Sequence, residues 1–311
     1  MLKMAWNAYR GWAKRARDLQ AGAGRWNLAA LVCIALAAVC GAATSLTPAA
    51  PSPWNVLGTW LASVAAVASA VGAYLGREIL GSGKEAGWIQ ARATAEGVKS
   101  ECYRYAAKAG PYAGAAPEAA KALQDRVAAL EKLATDKSLV RGDDPVPASG
   151  DKREPTAGMT KDWYKINRID EQIEFYRKGR ARNEARADRL WWAAFLAGLA
   201  AVAFGALGAW AQVFAPWVGA MTTIAASIAA FGLIDRRKFL ISSYSAMQAS
   251  LERIKALDEA RQASLADLVT TTEDLLDSEH KAWQPQMLAM QHQPPAQPEQ
   301  PQQPQPPQQQ G

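Results

Sequence analysis

The chain has 311 residues, a formal charge of +6 and an apolar content of 50%, which fits either two soluble domains or one membrane protein with polar parts. The distribution decides: residues 26–76 and 190–234 hold no Asp, Glu, Lys or Arg, and each is too long for one buried helix. Cys33, Cys40 and Cys102 offer neither a disulfide framework nor metal-ligand spacing.

A bilayer core takes roughly 20 apolar residues in a helix, so each uncharged stretch reads as two spans. The first breaks at TPAAPSP, where Pro48, Pro51 and Pro53 prevent a continuous helix. The second breaks near Ala211–Pro216, with Pro216 suited to a first helical turn. Spans are expected near 26–46, 54–75, 190–210 and 214–234. A signal peptide competes for the first, but no large extracellular domain follows Gly41. Lys3, Arg10, Lys14, Arg15, Arg17 and Arg25 precede the first span, Arg77 and Lys84 follow the second, and Arg236, Arg237 and Lys238 follow the fourth. The hairpin loops carry no charge, so the positive-inside rule puts both termini and the middle region in the cytoplasm. Membrane topology thus accounts for the positive charge, and no nucleic-acid partner is needed. Trp26, Trp54, Tyr74, Trp191, Trp192, Trp210 and Trp217 fall near span ends, as interfacial aromatics do.

The segment after the first hairpin carries Trp88, Ala91, Ala95, Val98, Cys102 and Tyr105 at heptad-like intervals, an apolar helical seam. Beside it run Arg92, Glu96, Lys99 and Tyr103, whose opposite charges can pair along one face. That stripe is either a solvated face or one that recognises a partner helix or signal. Gly110-Pro111 stops the helix, and a second seam follows over 117–139, on Leu123, Val127, Leu130 and Leu133. Residues 141–158 are rich in Gly, Pro and charge and read as a linker. Ile166, Ile169, Ile173 and Tyr176 lead into the third span. After the fourth, Leu240, Tyr244, Met247, Leu251 and Ile254, then Leu265, Leu268, Thr272 and Leu275, repeat the spacing. Such seams need another helix of this chain or a neighbouring subunit. The tail, 286–311, is mostly Gln and Pro and reads as disordered. The organisation is a first unit at 1–140, a linker at 141–158, and a second unit at 159–285.

The expected fold is an all-α membrane protein with four transmembrane helices in two hairpins and long cytoplasmic helices forming a coiled-coil-like bundle. His280 and His292 are the only histidines, and no catalytic or metal cluster forms around either. Gly81, Gly83 and Lys84 imitate a phosphate loop without its full spacing or preceding strand. The expectation is no enzyme, no cofactor and no metal. Small residues recur four apart in three spans: Ala62, Ala66 and Ala70; Ala201, Gly205 and Ala209; Gly219, Thr223 and Ser227. Such rows let helices approach closely, and the two hydroxyls can bond across the contact. They serve either packing within the chain or an oligomer interface or pore.

The pattern Trp88, Arg92, Glu96, Lys99, Glu101, followed by Tyr103 and Tyr105 and by GPY, directly after a two-span hairpin, resembles the first unit of duplicated two-transmembrane proteins of the SLATT superfamily. The second unit is similar in its helix with Tyr164, Arg168, Gln172, Tyr176 and Asn183, and in its closing helix with Val269, Glu273, Glu279 and Trp283. The resemblance covers roughly residues 10–285. It implies a bacterial inner-membrane effector of a conflict or defence system, acting with the lipid bilayer and with itself as a homo-oligomer. Its helices would respond to an upstream nucleotide-signalling or sensor protein, and its spans would perforate the membrane. A structural scaffold recruiting soluble partners, or a small-ion channel, is the alternative.

Overall fold

The computed structural model describes residues 1–47, 54–81, 84–143, 150–230 and 233–292, and these contain helices and no strand. The three loop prolines, Gly83 and residues 293–311 of the tail lie outside the described residues.

Helix α1, Leu2–Ala43, is one uninterrupted helix of 42 residues, about 60 Å long and so about twice the thickness of a bilayer core. Its uncharged C-terminal half pairs with α2, Trp54–Gly81, as the first hairpin. Helix α3, Lys84–Ala106, returns along the polar half of α1, and α4, Ala116–Thr135, packs on α3. The helix stop comes earlier than Gly110: α3 ends at Ala106, Lys108 takes φ 52°, and the Ala109 N–H reaches back to the Arg104 carbonyl at 2.9 Å.

The second half begins with α5, Lys161–Tyr164, capped by the Thr160 hydroxyl, which accepts from the Trp163 N–H at 3.2 Å. A π-helical segment, Lys165–Asp170, joins it to α6, Glu171–Gly208. The π turn adds a residue to the register, and its effect on the predicted seam is direct. Ile169 and Tyr176 are buried, whereas Ile166 is 61% exposed. Helix α6 pairs with α7, Ala215–Ala230, as the second hairpin; α8, Leu233–Arg261, returns along α6; and α9, Leu265–His292, packs on α3 and α8.

Four helical stretches are long and apolar enough to cross a membrane, Leu2–Leu46, Val56–Arg77, Lys161–Gly208 and Gln212–Ala229, in agreement with the four expected spans. Their outer faces carry exposed Trp60, Val67, Leu199 and Val202, surface that only lipid or another apolar partner stabilises. The hairpins meet where α1 packs on α7, and at their tips the Ser45 hydroxyl donates to the Val213 carbonyl at 3.1 Å.

Within the chain, the small-residue rows make few close approaches. Ala62, Ala66 and Ala70 all point outward, and of the third-span row only Ala201 is buried, with Gly205 and Ala209 exposed. A Cβ on Gly219 would meet nothing within 4 Å, and one on Gly205 only Val218 at 3.9 Å, so neither glycine marks a close approach. Ser227 donates to the Thr223 carbonyl of its own helix at 2.7 Å instead of bonding across the contact. Closer approaches occur elsewhere, among them Gly58, where a Cβ would lie 2.7 Å from the Thr47 hydroxyl, Gly72, where it would lie 3.2 Å from Ile34, and Gly179, where it would lie 2.6 Å from the Tyr244 ring.

Away from the spans, both halves share one core. Trp6, Tyr9 and Trp12 of α1 pack with Ala95, Val98 and Cys102 of α3, Leu123 of α4, Ile169 of the π segment and Val269 of α9. The α3 seam read from the sequence is therefore real, and its partner surface belongs to this chain.

Candidate functional site

The α3 stripe beside that seam is largely covered by this chain itself. Lys99 and Tyr103 are buried, and Arg92 and Glu96 are half-buried, because the second half of the chain lies over them. The reading of this stripe as a solvated face is thus corrected: the second half of the chain covers it, with Arg168 beside Glu96 and Phe175 beneath Arg92.

At the centre of the junction Arg168 rises from the π segment, 2% exposed, and meets Glu273 of α9, fully buried. Nε and Nη2 of Arg168 donate to the two carboxylate oxygens at 2.8 and 2.7 Å, and the Tyr164 hydroxyl donates to Oε1 at 2.8 Å. The guanidinium also lies 4.9 Å from the Tyr103 ring centre on α3. Burial opposes the charge on Arg168, but Glu273 outweighs it and holds the side chain protonated. The remaining nitrogen, Nη1, sits 3.8 Å from Glu96 of the first half.

Glu96 is also the carboxylate nearest Lys99, at 3.7 Å. Burial pushes Lys99 down from the ordinary lysine value to about 8, against the pull of Glu96. Lys99 further sits 5.3 Å from the centre of the Tyr9 ring, and burial raises the Tyr9 phenol to about 12.

Around Glu96 and Lys99 opens a cavity of about 630 Å³. Its walls are Tyr9, Arg10 and Arg17 of α1; Trp88, Arg92 and Lys99 of α3; Asp151, Lys152 and Arg153 of the supposed linker; and Glu171, Gln172 and Tyr176 of α6. The linker is no simple tether, since the Tyr103 hydroxyl donates to the Arg153 carbonyl at 2.9 Å. Arg92 lies over the Phe175 ring at 5.4 Å, and the Tyr176 hydroxyl donates to Glu279 at 3.4 Å.

The other motif residues lie outside the cavity. Glu101 accepts from the Tyr112 hydroxyl of the GPY turn and from Arg104 at 3.0 Å, which explains the aromatic after the glycine-proline pair. Arg104 also reaches Asp274 and Asp277 of α9 at 2.9 and 2.6 Å. Asn183 accepts from Arg237 at 3.0 Å, joining α6 to α8. The side chain of Trp283 lies outside the described residues. Sequence reasoning missed the α1 contribution, although Trp6, Tyr9, Trp12 and Ala16 carry a helical spacing that could have revealed it.

Two family models match, one to each half. The second half, residues 164–283, matches the SMODS and SLOG-associating 2TM effector domain 1. The chain belongs to the SLATT superfamily. The first half, residues 5–120, matches a family described as a protein of unknown function, DUF4231. In this SLATT protein, the second match runs from Tyr164 through Arg168 and Glu273 to Trp283, so the buried junction falls within it, while α1 and α3 fall within the first. No curated protein and no solved structure matches the chain.

Proposed function

We propose that this SLATT protein is a non-enzymatic effector of the bacterial inner membrane, with termini and middle region cytoplasmic. It oligomerises and opens a pore or breaks the bilayer when an upstream signal reaches its helical head. The observation that carries the reading is continuity. Helices α1 and α6 both line the charged cavity and both run unbroken into a span, so a change in the cavity walls is passed rigidly to both hairpins. A second cavity of about 490 Å³ between α1, α2 and α7, lined by small residues such as Ala38, Gly41 and Gly219, leaves the hairpins room to rearrange. The description of the matched family as an effector domain supports the same reading, as does the positive-inside pattern for orientation.

The test is membrane potential, read with a voltage-sensitive dye in cells expressing the full chain with its genomic neighbours. Depolarisation is expected. It should be lost when a flexible Gly-Ser pair is inserted both between Arg25 and Trp26 and between Arg189 and Leu190, which cuts the two rigid connections. Polarised cells under every condition, together with silent liposomes, would overturn the proposal, whereas steady selective conductance without toxicity would indicate a small-ion channel.

A further inference from the structure

We propose that the cavity between α1, α3, residues 150–153 and α6 is a binding site for a small polyanion carrying phosphate groups. Its volume of about 630 Å³ falls within the range of about 300–1,000 Å³ typical of small-molecule sites. Six Arg and Lys side chains line it against three carboxylates, Glu96, Asp151 and Glu171. A low-dielectric cavity with that excess of cations favours an anionic occupant.

The deepest cation is incompletely compensated. Lys99 is 5% exposed, and its carboxylate partner is Glu96 at 3.7 Å, longer than a hydrogen bond. Glu96 is shared with Arg168, whose Nη1 is buried and makes no hydrogen bond among the described residues. An ammonium offers three donors, and a phosphate oxygen in the cavity would accept from it. Closer to solvent, Arg17 and Lys152 are exposed lining residues, positioned to steer an anion inward. The wall carrying Arg153 is fixed in advance by the hydrogen bond from Tyr103 to its carbonyl and by the pairing of its guanidinium with Asp151 at 3.1 Å. A ligand held here touches α1, α3 and α6 together. That it triggers the membrane step rests on the function proposed above; that it binds does not.

Phosphate can arrive on a soluble compound or on a lipid headgroup, since Arg17 lies nine residues, about 14 Å of helix, before Trp26. The experiment separates these sources. The purified full chain in discs of phosphatidylcholine alone is titrated calorimetrically with inorganic triphosphate and with adenosine triphosphate. One site per chain is expected for at least one probe, weakened tenfold or more by Lys99→Met and by the paired exposed changes Arg17→Gln and Lys152→Gln. If both titrations are silent but phosphatidylglycerol in the discs raises the thermal midpoint, and the same variants abolish that rise, the phosphate is a headgroup's. Silence in both arms, or binding that both variants leave unchanged, overturns the proposal. Conductance is not read here, so failure leaves the pore-forming reading standing, and failure of that reading leaves the site standing.

Discussion

Arg168 and Glu273 meet in a bidentate pair, with bonds of 2.8 and 2.7 Å, at a point where neither side chain is more than 2% exposed. Removing one partner strands the other as a buried charge, which costs about 3–5 kcal/mol, whereas replacing both by apolar groups of similar volume is often neutral. Glu273→Gln or Arg168→Met alone should therefore lower the thermal midpoint of the detergent-solubilised protein sharply. The double change Arg168→Met with Glu273→Leu should recover most of it. Equal loss in single and double variants would mean that the pair does more than neutralise itself.

Lys99 supplies a pH signature. Its folded pKa is lowered to about 8 from 10.5, so between those values the unfolded chain binds more protons than the folded one, and stability rises with pH. The penalty of burying the charged form is fully present below about pH 8. Denaturant titrations from pH 7.5 to 9.5 should show this rise, and Lys99→Met should flatten it. A bound polyanion should favour the ammonium, so triphosphate binding near pH 9 should take up protons, measurable as a buffer-dependent heat.

Gly179 and Gly219 are expected to behave oppositely. Gly179→Ala sets a methyl 2.6 Å from the Tyr244 ring, and overpacking of this kind costs about 1–3 kcal/mol. Gly219→Ala adds a methyl to open space and should leave the midpoint unchanged. Thermal unfolding of both variants in one detergent decides the point, and equal loss would contradict the packing described.

Arg104 ties α3 to α9 through Asp274 and Asp277. Arg104→Ala should cost about 1.5–3 kcal/mol, the range for hydrogen bonds to charged groups. Hydrogen exchange should accelerate first in α9 around residues 268–277, and uniform acceleration across all helices would argue against a local tie.

Cys102 is fully buried in the shared core, and burial pushes its thiol up, with Glu101 adding to the shift. The thiolate is the reactive form, so a maleimide should leave Cys102 unlabelled in the folded protein and modify it only after denaturation. Rapid labelling without unfolding would mean that the α1–α3 contact opens.

The spans were legible because uncharged length is a one-dimensional signal: a run such as 190–234 needs no tertiary context to be read. The α3 seam was legible for a similar reason, its apolar spacing surviving as burial from Trp88 to Cys102. The charge stripe was not, since Arg92, Glu96 and Lys99 would look the same on a solvated helix; only the packing of the second half over them, with Arg168 of the π turn beside Glu96 and Phe175 under Arg92, decides what they meet. That turn has no periodic signature, and it is why Ile166 faces out. The linker was legible only in part for a related reason: Gly, Pro and charge describe a segment without a core, yet the Arg153 carbonyl is held by Tyr103 of α3. Among the small-residue rows, spacing identified a helical face but not what lay opposite it.

The hydrogen bond from Ser45 to Val213 has a mechanical consequence. With the hairpins joined at their tips as well as at the charged head, the four spans form a closed frame fastened at both ends. Such a frame opposes splaying of one hairpin from the other at the tips.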